Sequence, residues 1–194
     1  MQYSMKHLPV RWLVATALLL GLLAGCQSTP PSPSKENQAA IDRMLVLVDE
    51  RLEVASQVAR SKWNSGADIE APEREAAILD RVTGRSAEAG VDESFARDFF
   101  QAQFEASKEV QRRLHQRWLK EGREPFDNPP DLAEEVRPVL DRLTPALIES
   151  LGELQSLVEV PGVGSYLEAR ATELVTGDFD GVPRRIALEP LKDR

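Results

Sequence analysis

The chain has 194 residues, one cysteine, and 24 Lys and Arg against 32 Asp and Glu, for a formal charge of −8. That length suits one domain with a real core and is short for two. The acidic balance, without any basic stripe interleaved with aromatics, excludes nucleic acid as a partner, and a lone cysteine excludes an intramolecular disulfide.

Residues 1–25 carry Lys6 and Arg11, then an uncharged run from Trp12 to Gly25, and end on Leu23-Ala24-Gly25 before Cys26. A run of about fourteen residues is too short for a hydrocarbon core of about 30 Å, so it reads as a cleaved leader and not as a span. The Leu-Ala-Gly-Cys tetrapeptide resembles a lipobox, which implies a bacterial lipoprotein whose Cys26 is acylated after cleavage. Gln27, standing where Asp would signal inner-membrane retention, implies the outer membrane by the same resemblance. Removing the leader takes away Lys6 and Arg11 and no acid, and so leaves −10. From Cys26 to Lys35 the chain is rich in Pro and Ser and reads as an extended tether, so the folded domain is expected over 36–194.

From Asn37 to Trp63, Ile41, Leu45, Val48, Leu52, Ala55 and Val58 recur at steps of three and four, which predicts an amphipathic helix of about seven turns. Asn64-Ser65-Gly66 breaks it, and Pro72 opens a second helix to Ala89. Asp92 is placed to cap a third, carrying Phe99, Phe100, Phe104, Val110, Leu114 and Trp118 to about Lys120. After a loop at 121–130, a fourth helix is expected from Asp131 to Gln155, with Pro138 and Pro145 bending it or splitting off its first turns. Pro161-Gly162-Val163-Gly164 reads as another break and not as a phosphate loop, since no strand and no glycine-lysine context accompany it. A fifth helix follows from Ser165 to about Gly177, and the tail to Arg194 is weakly patterned. The fold class is therefore all-α: one domain of about five helices, three of them long, with further helical structure over 131–194.

Histidine is too scarce for a Ser/His/Asp triad or a His-based metal site. His7 lies in the leader and His115 in a part of the third helix that looks exposed. Another polar set recurs at helical spacing. Arg51 and Lys62 stand eleven residues apart, on one face and about 16 Å apart along the axis. Arg74 and Glu75 open the second helix, and Ser107 and Gln111 share a face at i and i+4. Two cations, a third nearby and neutral donors between helices suit a small ligand rich in carboxylates.

The run Arg51-Leu52-x5-Val58-Ala59-x2-Lys62-Trp63, then Ile69-Glu70-x3-Arg74-Glu75, then Phe100-x6-Ser107-x3-Gln111 resembles the all-helical, type II chorismate mutases, specifically their exported gamma subclass. The resemblance covers residues 37–120. It implies that Arg51 grips a substrate carboxylate, that Lys62 reaches a carboxylate and the ether oxygen, and that Gln111 faces Lys62 across that oxygen. It further implies Arg74 beside the ring, Glu75 accepting from the ring hydroxyl, Ser107 near the ring carboxylate, and a later arginine for which Arg137 is the first choice and Arg142 the second. The implied reaction needs no cofactor and no metal, and the implied assembly is a homodimer with each pocket inside one protomer. Ala71 departs from the pattern, which carries an aspartate there, while Glu70 stands just before it. The alternative is a lipid-anchored binding or structural protein of the cell envelope that kept the fold without the chemistry.

Overall fold

A computed structural model describes residues 32–177 and 180–192. The expected leader at 1–25, the expected lipidation site Cys26 and the expected tether as far as Pro31 lie outside the described residues. Six α-helices follow: α1 (Lys35–Ser65), α2 (Pro72–Glu88), α3 (Glu93–Lys120), α4 (Arg137–Leu154), α5 (Val163–Leu174) and α6 (Val182–Leu188), with no strand among the described residues. No helix among them is long and apolar enough to cross a membrane.

Helices α1 and α3 form the spine. Helix α1 buries Ile41, Leu45, Val48, Leu52 and Ala55, the expected apolar stripe, against Phe95, Phe99, Phe100 and Val110 of α3 and the inner face of α4. The ends are set by local chemistry. The Ser34 hydroxyl accepts from Asn37 N to start α1, and Gly66, with φ of 69°, ends it by donating to Lys62 O at 2.9 Å. A left-handed residue there closes the orphan carbonyls of the last turn. Asp92 accepts from Phe95 N at 2.8 Å and so fixes the start of α3.

Pro138 acts as its chemistry requires. Without an N–H it cannot serve the Glu134 carbonyl. The chain instead makes a wide π turn over Leu132–Val136, in which Arg137 N reaches Leu132 O, before α4 proper begins at Arg137. Pro145, by contrast, sits inside α4 without ending it.

One expectation is filled in and one is corrected. The weakly patterned tail folds: α6 and a 3₁₀ turn over Glu189–Leu191 pack on α3, where Gln103 Nε2 donates to Ala187 O at 2.8 Å. Seven residues including Pro183 give too few turns for a periodic signal, yet Ala187, Leu188 and Leu191 are buried. His115 is half-buried, not exposed. Its Nε2 lies 2.8 Å from Ala59 O, and its ring stands against Trp63 and Trp118 with centroids 5.4 and 5.6 Å away.

Candidate active site

Helices α1, α2, α3 and α4 leave a cavity of about 350 Å³ between them. Arg51 and Lys62 enter it from one face of α1, Arg74 and Glu75 from the first turn of α2, Ser107 and Gln111 from α3, and Arg137 from the first residue of α4. The apolar side chains Val58, Ile69, Ile78, Phe104, Leu132 and Leu140 complete the wall. Arg142 lies elsewhere: five residues along α4 from Arg137, it is largely exposed and stands 3.7 Å from Glu50.

Arg51 is the most costly residue in this arrangement. It is 9% exposed, its guanidinium carbon lies 5.7 Å from the Phe104 ring centre, and its buried Nε has no hydrogen-bond partner. Burial alone brings its pKa down from 12.5 to about 10. A guanidinium keeps its charge at neutral pH even so, and a buried cation without a counter-ion is expensive. Gln111 repeats the theme. Its Nε2 donates to Ser107 Oγ at 3.1 Å and Ser107 O at 3.2 Å, while its buried Oε1 has no partner. Two unsatisfied buried polar groups on one cavity mark it as shaped for something the chain itself does not supply.

The Lys62 end differs. Lys62 Nζ donates to Ile69 O at 2.9 Å, in the α1–α2 connection. Burial holds its pKa below the ordinary lysine value; Glu75, Glu70 and Asp68 pull it back up, and the nearby Arg74 adds to the lowering. Glu75 is engaged at both oxygens, by Ala71 N at 3.3 Å and by Lys108 Nζ at 3.0 Å. Ala71 therefore takes part through its backbone, and the first turn of α2 needs no carboxylate at that position to hold Glu75.

Lys108 was not singled out from the sequence. It lines the same cavity, is 7% exposed, and its ammonium lies 3.0 Å from Glu75, 3.1 Å from Glu70 and 2.8 Å from Glu105. Burial would lower its pKa, but three carboxylates reverse that and raise it above the ordinary lysine value. Glu70 is also held by Arg112 at 2.7 Å, and that bond, ahead of the one from Lys108, keeps its carboxyl below the usual range. The signal for Lys108 existed: it follows Ser107 directly and stands three residues after Glu105 and three before Gln111.

Residues 37–112 match the family described as chorismate mutase type II. The crystal structure of a chorismate mutase from Burkholderia thailandensis is 35% identical, with a TM-score of 0.72 over 79% of this chain and 99% of that one. The chain belongs to the type II chorismate mutase family. A chorismate mutase from Burkholderia phymatum, 26% identical, aligns with a TM-score of 0.73 over 81% of this chain and 99% of its own. A secreted chorismate mutase of Mycolicibacterium smegmatis is 28% identical over 89% of this chain and 94% of its own length. With 79% or more of the chain covered, the similarity to these mutases extends past the matched segment into α4, the helix that supplies Arg137.

Proposed function

We propose that this chorismate mutase rearranges chorismate to prephenate in the cavity between α1, α2, α3 and α4, by clamping the substrate and stabilising its departing ether oxygen. The observation that carries the reading is the pair of unsatisfied buried groups, Arg51 Nε and Gln111 Oε1, on one cavity of about 350 Å³. The reaction is a unimolecular Claisen rearrangement in which a C–O bond breaks and a C–C bond forms. It needs no nucleophile, no proton and no cofactor.

Chorismate is a dianion, and its reactive conformer is compact. Arg51 and Arg137, with Arg74 beside them, offer planar forks to its carboxylates, so that two anchor points remove the rotations that separate the reacting carbons. Negative charge then grows on the ether oxygen. Lys62 keeps two ammonium protons beyond the one given to Ile69 O, and a donor aimed there gains most in the transition state.

Gln111 supports this role with one adjustment. Its unpartnered atom is the amide oxygen, so donation to the ether oxygen requires the amide to turn about its last torsion. The turn gives up the bond to Ser107 O but keeps one to the Ser107 hydroxyl, which accepts from Nε2 in one orientation and donates to Oε1 in the other. An amide donates without titrating, so the reaction is expected to have no acidic pH requirement. Glu75, ion-paired with Lys108, accepts from the ring hydroxyl on this reading.

The secreted relative supports export of this chain, and the lipobox-like tetrapeptide supports acylation at Cys26, with Gln27 favouring the outer membrane. Membership of the exported subclass and a homodimer go with that reading.

The test is the loss of chorismate absorbance with purified protein from residue 27 onward. Turnover, or thermal stabilisation by a bicyclic dicarboxylate analogue of the transition state, supports the reading; absence of both would sink it.

A further inference from the structure

A second depression of about 460 Å³ runs between α2 and α4 and shares Arg51, Arg74, Ile78, Phe104, Arg137 and Leu140 with the cavity, so the two are continuous. Its outer part adds Arg81 and Arg85 of α2. From Arg74 the steps to Arg81 and Arg85 are seven and four residues, which keeps all three on one face and carries the stripe about 16 Å along the helix. Between them lie Ala77, Ile78 and Val82, an apolar floor. Across the groove, Asp141 is its one carboxylate.

What sets these arginines apart is that several without counter-ions share one groove. Arg43, Arg97, Arg112, Arg113, Arg142 and Arg170 are each paired with a carboxylate. Among the described residues the side chains of Arg74, Arg81, Arg85 and Arg137 have neither an ion pair nor a hydrogen bond, although the chain as a whole is acidic. Four open guanidiniums therefore flank one groove. In a protein of charge −8 a dianion is repelled almost everywhere else on the surface, and a cationic cleft with low-dielectric walls focuses the field where it opens.

We infer that the outer groove, with Arg81 and Arg85 at its rim, is a capture site for the dianionic substrate, distinct from the inner cavity where the bonds rearrange. This rests on the reading of the cavity as the chorismate site. A cyclic dicarboxylate fits it chemically: the apolar floor takes the ring and the guanidiniums take the carboxylates. Arg81 and Arg85 act on arrival and not on the barrier.

The experiment compares wild type, Arg81→Gln/Arg85→Gln, and a control, Arg43→Gln/Arg123→Gln, which removes the same charge from exposed sites outside the groove. Chorismate turnover is measured at low and high ionic strength. At low salt the groove variant is expected to lose about fivefold in kcat/KM with kcat kept within about twofold. The gap should close at high salt, as screening at about 10 Å and below removes the field. The control should follow wild type. Equal kcat/KM for groove variant and wild type at low salt, a loss carried by kcat, or an equal loss in the control each overturns the capture site. Wild type without turnover at any salt would refute the underlying function and not this inference alone.

Discussion

The cavity has two cationic ends built on opposite electrostatic plans. At one, Lys108 sits amid Glu70, Glu75 and Glu105 within 2.8 to 3.1 Å, Arg112 joins the set, and Lys62 is tied to Ile69 O. At the other, Arg51 is buried with a partnerless Nε, and Arg74 and Arg137 stand open. A neutralised network makes a rigid wall, whereas the buried, unpaired Arg51 guanidinium carries a cost that an anion relieves, and the exposed Arg74 and Arg137 stay free to join it. The charge that matters for binding is therefore the charge left unpaired. Lysine at the paired end, with protons to spare, serves a developing charge better than a resident carboxylate.

This contrast can be broken at several points. Lys62→Ala should cost the most, about 100-fold or more in kcat by the scale of a lost transition-state donor, and activity within tenfold of wild type would show that the ether oxygen lies elsewhere. Lys108→Met should destabilise the fold by roughly 1–3 kcal/mol in a urea melt, less than for a fully buried pair because its carboxylates are partly solvated. It should also weaken turnover through a loosened Glu75. No change in stability would mean the three carboxylates never needed it.

A smaller effect concerns pH. Lys62 must be charged to donate, and its pKa lies below 10.5, chiefly through burial. Activity is therefore expected to stay flat from mildly acidic to neutral pH and to fall on the alkaline side below pH 10.5. Glu70 supports the charged form, so Glu70→Gln should move that alkaline limb further down in a kcat/KM profile. A rate that collapses between mildly acidic and neutral pH would contradict Gln111 as the donor. Smallest is Gly162→Ala: Gly162 opens α5 with φ of 89°, and an alanine there should cost about 1 kcal/mol in a melt without touching kcat.

Much of this was legible in the sequence, for reasons that differ by element. Helices α1 and α3 run 31 and 28 residues, long enough for a stripe such as Ile41, Leu45, Val48, Leu52 to declare itself. Asp92 and Gly66 announced their ends because capping chemistry is local. Pro138 signalled a disturbance, but that it would take the form of a π turn delivering Arg137 to the cavity depends on packing against α1. Helix α6 was invisible because its stability comes from α3 and not from its own seven residues. Arg51, Lys62, Arg74, Glu75, Ser107 and Gln111 could be picked out through a resemblance spread over three helices, and the structure places all of them, with Arg137, on one cavity. Lys108 could not be found that way. Its meaning lies in three carboxylates, two of them on α2 and the segment before it, that only folding brings together.

The sharpest measurement takes Arg51→Met and Lys108→Met side by side, each followed by thermal melting and by chorismate turnover. Removing a buried unpaired charge should leave Arg51→Met as stable as wild type or more so, with kcat/KM lower by about 100-fold or more, while Lys108→Met melts lower. An Arg51→Met protein that melts well below wild type, or that turns over chorismate within tenfold of it, would contradict the claim that this end of the cavity is held open for the substrate anion.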